Sequence, residues 1–215
     1  MLPDLEAERH EMVERQLRRR GIRDPRVLEA MGQIQREEFV PADSRLIAYG
    51  DEPIGIGYRQ TISQPYMTAL MAELLELKGT ETVLEVGTGS GYAAAVLAML
   101  AARVISVELI PGLAAMARET LARTGRGGNV MVICGDGSLG YLPEAPYRGI
   151  SVAAGAPEVP HTLLDQLDDN GRLVIPVGKL EDQELRVVAK RGGEIESRVA
   201  TLCRFVPLRG GEGWQ

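Results

Sequence analysis

A chain of 215 residues, 45% hydrophobic and 25% charged, holds enough apolar material for one substantial core and sits close to the globular average. A formal charge of −6 with no long basic run argues against a nucleic-acid groove, and the basic residues between Arg15 and Arg20 are spaced as on a solvated helix face. Two cysteines (Cys134, Cys203) and two histidines (His10, His161) give neither a disulfide framework nor the makings of a catalytic metal site. Acidic residues near the start and the lack of a long apolar run lead us to expect a cytoplasmic protein with no membrane association.

In chain order, residues 6–20 place Met12, Val13 and Leu17 at helical spacing among charges, an amphipathic surface helix stopped by Gly21. Asp24-Pro25 reads as the N-cap and first-turn proline of a second helix bearing Val27, Leu28 and Met31. Phe39-Val40-Pro41 breaks the pattern, and 43–48 adds a helical turn. From 49 to 65 no period emerges. Gly50, Pro53, Gly55, Gly57 and Pro65, with Tyr49 and Tyr58 among them, predict a long ordered loop of the kind that often carries function. A helix over 65–77 follows. Ser63, at its entry, is either an N-capping serine or a contact at the mouth of a ligand site.

From Thr82 strands and helices alternate. Strands are expected over 82–86, 103–107, 129–133, 149–153 and 171–176, with helices over 91–101, 111–124 and 160–167. This predicts an α/β fold with a doubly wound, mostly parallel sheet. Beyond Gly178 two strands, 184–191 and 198–208, form an antiparallel hairpin turning at Gly192-Gly193, and a tail with Trp214 folds back. We expect a single domain over 1–215, with N-terminal helices and the loop in 1–80, a cofactor-binding core in 81–178 and C-terminal strands and tail in 179–215.

Val83-Leu84-Glu85-Val86-Gly87-Thr88-Gly89-Ser90-Gly91-Tyr92 reads as strand, tight glycine turn and helix, the opening of a nucleotide-binding sheet. The glycines recur at every second position, unlike the G-x-G-x-x-G of a dinucleotide site. Glu85, just ahead of the loop, would repel a pyrophosphate but can pair with an amino group. The next strand ends in Glu108, which can accept from both hydroxyls of a ribose. S-adenosylmethionine has the ribose and the α-amino group and no phosphate, so the pattern favours it over NAD. Gly135-Asp136-Gly137 closes the third strand on the same sheet edge, where Asp136 either meets an adenine amino group or holds a turn.

Several separated stretches together resemble the protein-L-isoaspartate O-methyltransferases. They are Phe39-Val40-Pro41, Ala48-Tyr49, Gln60-Thr61-Ile62-Ser63-Gln64-Pro65, the glycine loop, Gly135-Asp136-Gly137, Ala145-Pro146-Tyr147, Gln166-Leu167, Ile175-Pro176-Val177-Gly178 and Phe205-Val206-Pro207-Leu208. The resemblance runs from about residue 10 to the C-terminus. It implies a Rossmann-like methyltransferase fold, S-adenosylmethionine as donor with S-adenosylhomocysteine as product, and isoaspartyl peptides and proteins as acceptors. It also implies that Ser63 sits between donor and acceptor. Cofactor contacts are implied at Thr61, Ile62, Ser63, Glu85, Gly87, Thr88, Gly89, Gly91, Glu108, Leu109, Gly135, Asp136 and Gly137. Acceptor contacts are implied at Gln60, Gln64, Tyr66, Phe205, Val206, Pro207 and Leu208. The expected protein is a monomer that uses no metal, nucleic acid or membrane.

Three features depart from the family's pattern. Arg148 stands where an Asp is usual, Asn170-Gly171 where Gly-Gly is common, and Tyr58-Arg59 where smaller or acidic residues are more usual. A carboxylate acceptor is already ionised at neutral pH, so alignment and desolvation suffice and no strong base is required. The competing readings are a methyltransferase with the same donor and a small-molecule or RNA acceptor, an NAD-dependent oxidoreductase, and a non-catalytic module that keeps the cofactor fold.

Overall fold

A computed structural model describes residues 4–214 of the chain. The N-terminal quarter is helical. Helix α1 (Leu5–Glu11) is capped by the Asp4 carboxylate, which accepts from the Glu6 and Ala7 amides, and continues through a π turn (Met12–Leu17) and a 3-10 turn (Arg18–Arg20). Helix α2 (Pro25–Gln33) starts with Asp24 as N-cap and proline in its first turn, as its sequence predicts. Two 3-10 turns, Arg36–Phe39 and Ala42–Ile47, follow.

The segment expected to be a long ordered loop over 49–65 contains a small hairpin, β1 (Ile54–Gly57) against β2 (Gln60–Ile62). Tyr58 and Arg59 form its turn with φ of 52° and 60°, a left-handed conformation that side chains other than glycine and asparagine seldom adopt. Helix α3 (Pro65–Leu74) comes next, shorter than expected. Its N-cap is Gln64, with no side-chain cap, so the capping role considered for Ser63 does not hold.

A seven-stranded sheet then forms from β3 (Thr82–Val86), β4 (Arg103–Glu108), β5 (Val130–Cys134), β6 (Tyr147–Val152), β7 (Leu167–Gly178), β8 (Gln183–Arg191) and β9 (Glu194–Cys203). Their spatial order is β5-β4-β3-β6-β7-β8-β9. The pairs from β5 through β7 are parallel; β8 and β9 add antiparallel. Helices α4 (Tyr92–Ala98), α5 (Pro111–Arg123) and α6 (His161–Asp165) connect the parallel strands. This is the expected mostly parallel, Rossmann-like sheet with its antiparallel addition.

The last strand differs from expectation. Pairing resumes at once after Gly192-Gly193, with Arg191 opposite Glu194, and β9 ends at Cys203. Residues 205–208 leave the sheet because other partners take their backbone. Gln183 accepts from the Phe205 amide at 2.8 Å and donates to its carbonyl at 3.2 Å, while Gly155 donates to Val206 O and accepts from Leu208 N, each at 2.8 Å.

Strand alternation splits the core into two layers. Val83 and Val104 pack with α2 to α5 and the N-terminal helices on one face; Leu84, Ile105, Ile150 and Leu163 pack on the other. Phe39 meets Tyr92 edge to face at 5.6 Å, joining the N-terminal helical layer to α4. Ile150→Ala, in the fully buried middle of β6, is expected to lower stability by about 2–5 kcal/mol in urea unfolding, against a change within about 0.5 kcal/mol for Leu202→Ala on the exposed edge strand. Equal losses at the two positions would contradict this placement of the core.

Candidate active site

The glycine loop leaves the carboxyl end of β3 in the middle of the sheet. Gly87, Gly89 and Gly91 have φ of 91°, 54° and 88°, so all three need the left-handed region, and the repeated glycine follows from that requirement. Glu108, at the end of β4, fixes the loop. Its Oε2 accepts from the Gly89 amide at 2.8 Å and its Oε1 from the Ile110 amide at 2.9 Å. The β1–β2 hairpin lies on top. Ile56 reaches within 3.2 Å of where a Gly89 side chain would begin, and the Tyr58 hydroxyl occupies the place of a side chain at Gly112, in the first turn of α5.

The hairpin, the glycine loop and the ends of β4 and β6 enclose a first cavity. Among its lining residues are Gln60, Thr61, Ile62, Ser63, Gly87, Thr88, Gly89, Glu108, Leu109, Gly137, Val206, Pro207 and Leu208. A second, wider cavity adjoins it, lined by Ser63, Gln64, Phe205, Val206 and Pro207 together with Pro53, Met67, Leu180, Glu181 and Arg204. Thr61, Ser63, Ala153, Val206 and Pro207 line both. Ser63 is thus at the junction. Its carbonyl accepts from Arg36 Nη2 at 2.8 Å, and its hydroxyl makes no hydrogen bond to another described residue.

Five of the expected site residues line neither cavity. Glu85 is 1% exposed beneath the loop and lines neither cavity. Its Oε2 accepts from the Ser106 hydroxyl, which in turn lies 2.5 Å from the Thr88 hydroxyl, and its Oε1 has no partner among the described residues. Gly91 is the N-cap of α4, where a side chain would meet Leu121 at 3.3 Å. Gly135 donates its amide to Glu108 O at 2.9 Å. Asp136 lines neither cavity and holds a turn. Its Oδ1 accepts from the Ser138 amide and hydroxyl at 2.9 and 2.6 Å, and its Oδ2 accepts from the Gly211 amide of the tail at 2.7 Å. Tyr66 is half-buried against the core and lies under Arg20, whose guanidinium carbon is 3.7 Å from the ring centre.

Lining residues that the sequence reading missed include Ser90, Ile110, Ala153 and Ala154 in the first cavity and Leu180, Glu181 and Arg204 in the second. The two alanines carried a usable signal, being small residues directly after a strand at the ligand-binding sheet edge. The departures from the family pattern also find places. Arg148 donates to Asp169 O at 3.2 Å away from both cavities, whereas Tyr58 and Arg59 form the tip of the covering hairpin.

A parallel sheet with a glycine loop at its carboxyl edge, an acidic strand end beside it and a second cavity opening onto the first defines a Rossmann-like methyltransferase. A family profile described as protein-L-isoaspartate(D-aspartate) O-methyltransferase matches residues 7–213. The chain is 54% identical to a protein-L-isoaspartate O-methyltransferase of Methanoculleus marisnigri over 97% of this chain and 94% of that one. It is 55% identical to a protein-L-isoaspartate O-methyltransferase 2 of Marinobacter nauticus over 98% and 97%. A solved protein-L-isoaspartate O-methyltransferase superposes with a TM-score of 0.82 at 30% identity, over 95% of this chain and 66% of that one. Another, from Plasmodium falciparum and in complex with S-adenosyl-L-homocysteine, superposes with a TM-score of 0.81 at 28% identity, over 94% and 98%. The chain belongs to the protein-L-isoaspartate(D-aspartate) O-methyltransferase family. Its activity is methyl transfer to isoaspartyl residues of proteins and peptides, with S-adenosylmethionine as donor.

Burial, with the Glu108 charge nearby, pushes the Glu85 carboxyl up to about 8, against the pull of the Ser106 hydrogen bond. The folded state therefore holds this proton more tightly than the unfolded chain does. The associated stabilisation is complete below the ordinary value of 4.5 and is lost as pH rises through about 8. Wild-type stability in urea, measured relative to Glu85→Gln, is expected to fall from pH 5 to pH 8. A pH-independent difference would mean that Glu85 is ionised throughout.

Proposed function

We propose that the first cavity holds S-adenosylmethionine, that the second receives the isoaspartyl side chain and its displaced main chain, and that Ser63 aligns the acceptor carboxylate between them. The observation that carries this reading is that Ser63 lines both cavities with a hydroxyl not committed to any described residue. The donor brings an electrophilic methyl group; every other requirement falls on the chain's own residues.

The residues of the first cavity suit the donor. Glu108 is held by two backbone amides and keeps lone pairs for ribose hydroxyls. The glycine loop offers close backbone approach without side chains, and Thr61, Ile62, Thr88, Leu109 and Gly137 complete the walls. In this reading Glu85 and Asp136 support the site from behind, through Ser106 and Thr88 in one case and the tail in the other. Gly91 and Gly135 shape the backbone, and Tyr66 anchors α3.

On the acceptor side, the Ser63 hydroxyl donates to one carboxylate oxygen and leaves the other free to attack in line. No base is needed, because the acceptor is ionised at neutral pH with an ordinary pKa of about 4. Val206, Pro207 and Phe205 form an apolar wall that strips water from the carboxylate. Gln64 lines the second cavity beside Ser63 with an amide group suited to a peptide main chain, whereas Gln60 and Leu208, also expected on the acceptor side, line the first cavity only. The product ester has a better leaving group than the acid, so it can close to a succinimide without the enzyme and hydrolyse partly to normal aspartate. We further propose that residues 1–215 act as one domain, as a cytoplasmic monomer with no metal, nucleic acid or membrane partner.

Kinetics of two variants separate the two cavities. Ser63→Ala is expected to lose about 10- to 1000-fold in kcat, the scale of one positioned hydrogen bond, with little change in the KM for S-adenosylmethionine. Glu108→Ala is expected chiefly to raise that KM. Near-wild-type kcat/KM in the first, or an unchanged cofactor KM in the second, would remove the corresponding assignment.

A further inference from the structure

Arg36 lies on the 3-10 turn between α2 and the hairpin, and none of it is exposed. It forms no ion pair among the described residues; its neighbour Glu37 lies 3.8 Å from Arg9 instead and accepts from the Tyr49 hydroxyl. The Arg36 guanidinium is spent on two carbonyls. Nε donates to Ala48 O at 2.7 Å and Nη2 to Ser63 O at 2.8 Å, while Nη1 has no partner among the described residues. Its carbon lies 4.9 Å from the ring centre of Tyr92, the residue that opens α4 directly after the glycine loop.

A buried cation without a counter-ion is costly, and two carbonyls and an aromatic face offset only part of that cost. What the arrangement does provide is position. Ala48 and Ser63 are the two ends of the segment that carries the hairpin. One rigid, planar fork grips both and sets the distance between them, which the single nitrogen of a lysine does not. With its carbonyl held from behind, Ser63 has its hydroxyl left for the junction of the cavities. The charge that remains uncompensated stands one peptide group behind the spot where a carboxylate must be desolvated, and in a low-dielectric setting such a charge favours an anion there.

We propose that Arg36 is a positioning residue for the acceptor: it fixes Ser63 through its carbonyl and supplies the positive potential that holds the isoaspartyl carboxylate. This rests on the reading of Ser63 as the carboxylate's hydrogen-bond donor. Arg36 itself lines neither cavity; of the residues it contacts, Ser63 lines both and Tyr92 the first, so what separates a positioning role from general loosening is that the acceptor terms fall more than the donor terms when it is removed.

The test compares Arg36→Met and Arg36→Lys with wild type. It reads kcat and KM for an isoaspartyl peptide, Kd for S-adenosylhomocysteine by titration calorimetry, and the thermal midpoint. In Arg36→Met the peptide KM is expected to rise about tenfold or more and kcat to fall, while the S-adenosylhomocysteine Kd moves less than about threefold. Arg36→Lys, with the cation but without the fork that sets the spacing of the two carbonyls, regains part of kcat/KM and stays several-fold below wild type. The proposal is overturned if folded Arg36→Met keeps its peptide kcat/KM within about twofold of wild type. It is equally overturned if peptide and S-adenosylhomocysteine binding weaken in parallel and Arg36→Lys is no better than Arg36→Met, which is general loosening. Should Arg36→Met not fold, Arg36→Lys decides: a raised peptide KM with cofactor affinity kept supports the proposal, and unchanged kinetics overturn it. Failure of the Ser63 reading shows separately, as an active Ser63→Ala in the same assay.

Discussion

The site depends on the bond between Gly89 and Glu108. All three glycines of the loop take the left-handed region; besides the Thr88 hydroxyl held against Ser106, the carboxylate at the end of the neighbouring strand supplies the anchor at 2.8 Å. Because β3 and β4 are parallel and in register, with Val86 opposite Val107, the loop and the carboxylate leave the sheet side by side. The ligand cavity is the space that this pairing holds open under the hairpin. Residues of 60–63 and 206–208 line the same space, so the hairpin and the segment after β9 are placed relative to it.

The acceptor wall comes from pieces far apart in sequence. Residues 205–208 are drawn off the end of β9 by the Gln183 side chain and by Gly155 after β6. The tail then doubles back: Trp214 Nε1 donates to Gly155 O at 3.0 Å, and the Trp214 amide donates to Leu208 O at 2.7 Å. Glu212 accepts from the Thr162 amide and hydroxyl, and Gly211 donates to Asp136. The tail therefore ties the wall to the ends of β5 and β6 and to the start of α6. Asp136, adjacent to Gly137 in the lining of the first cavity, takes part in holding the segment 205–208 through the tail.

How much of this could be read from sequence varies with the physics of each element. Strand β3 and helix α5 were clear within a residue, because a strand of apolar alternation before a glycine triplet and a proline-led amphipathic run have few alternatives. The β1–β2 hairpin was not. Its strands have only four and three residues, and its turn uses Tyr58 and Arg59 in the left-handed region where glycine or asparagine would have announced it. Glu85 lines neither cavity, and position at a sheet edge does not give the direction of a side chain. Strand alternation turns it down into the layer beneath the loop, opposite in sense to Leu84 and Val86. Arg36 sits in a run with Glu37 and Glu38 that reads as solvated surface, and only the tertiary packing of Tyr92 and the hairpin ends buries it.

The central claim is that a cofactor cavity and a carboxylate-binding cavity meet at Ser63, with the wall at 205–208 reading the displaced main chain. The most direct test is transfer of labelled methyl from S-adenosylmethionine to an isoaspartyl peptide, with the matched normal aspartyl peptide beside it. The account predicts transfer to the first and none above background to the second. Equal labelling of both peptides would contradict it, because the wall would then not distinguish the two backbones; labelling of neither, with S-adenosylmethionine still bound, would contradict the assignment of the second cavity to this acceptor.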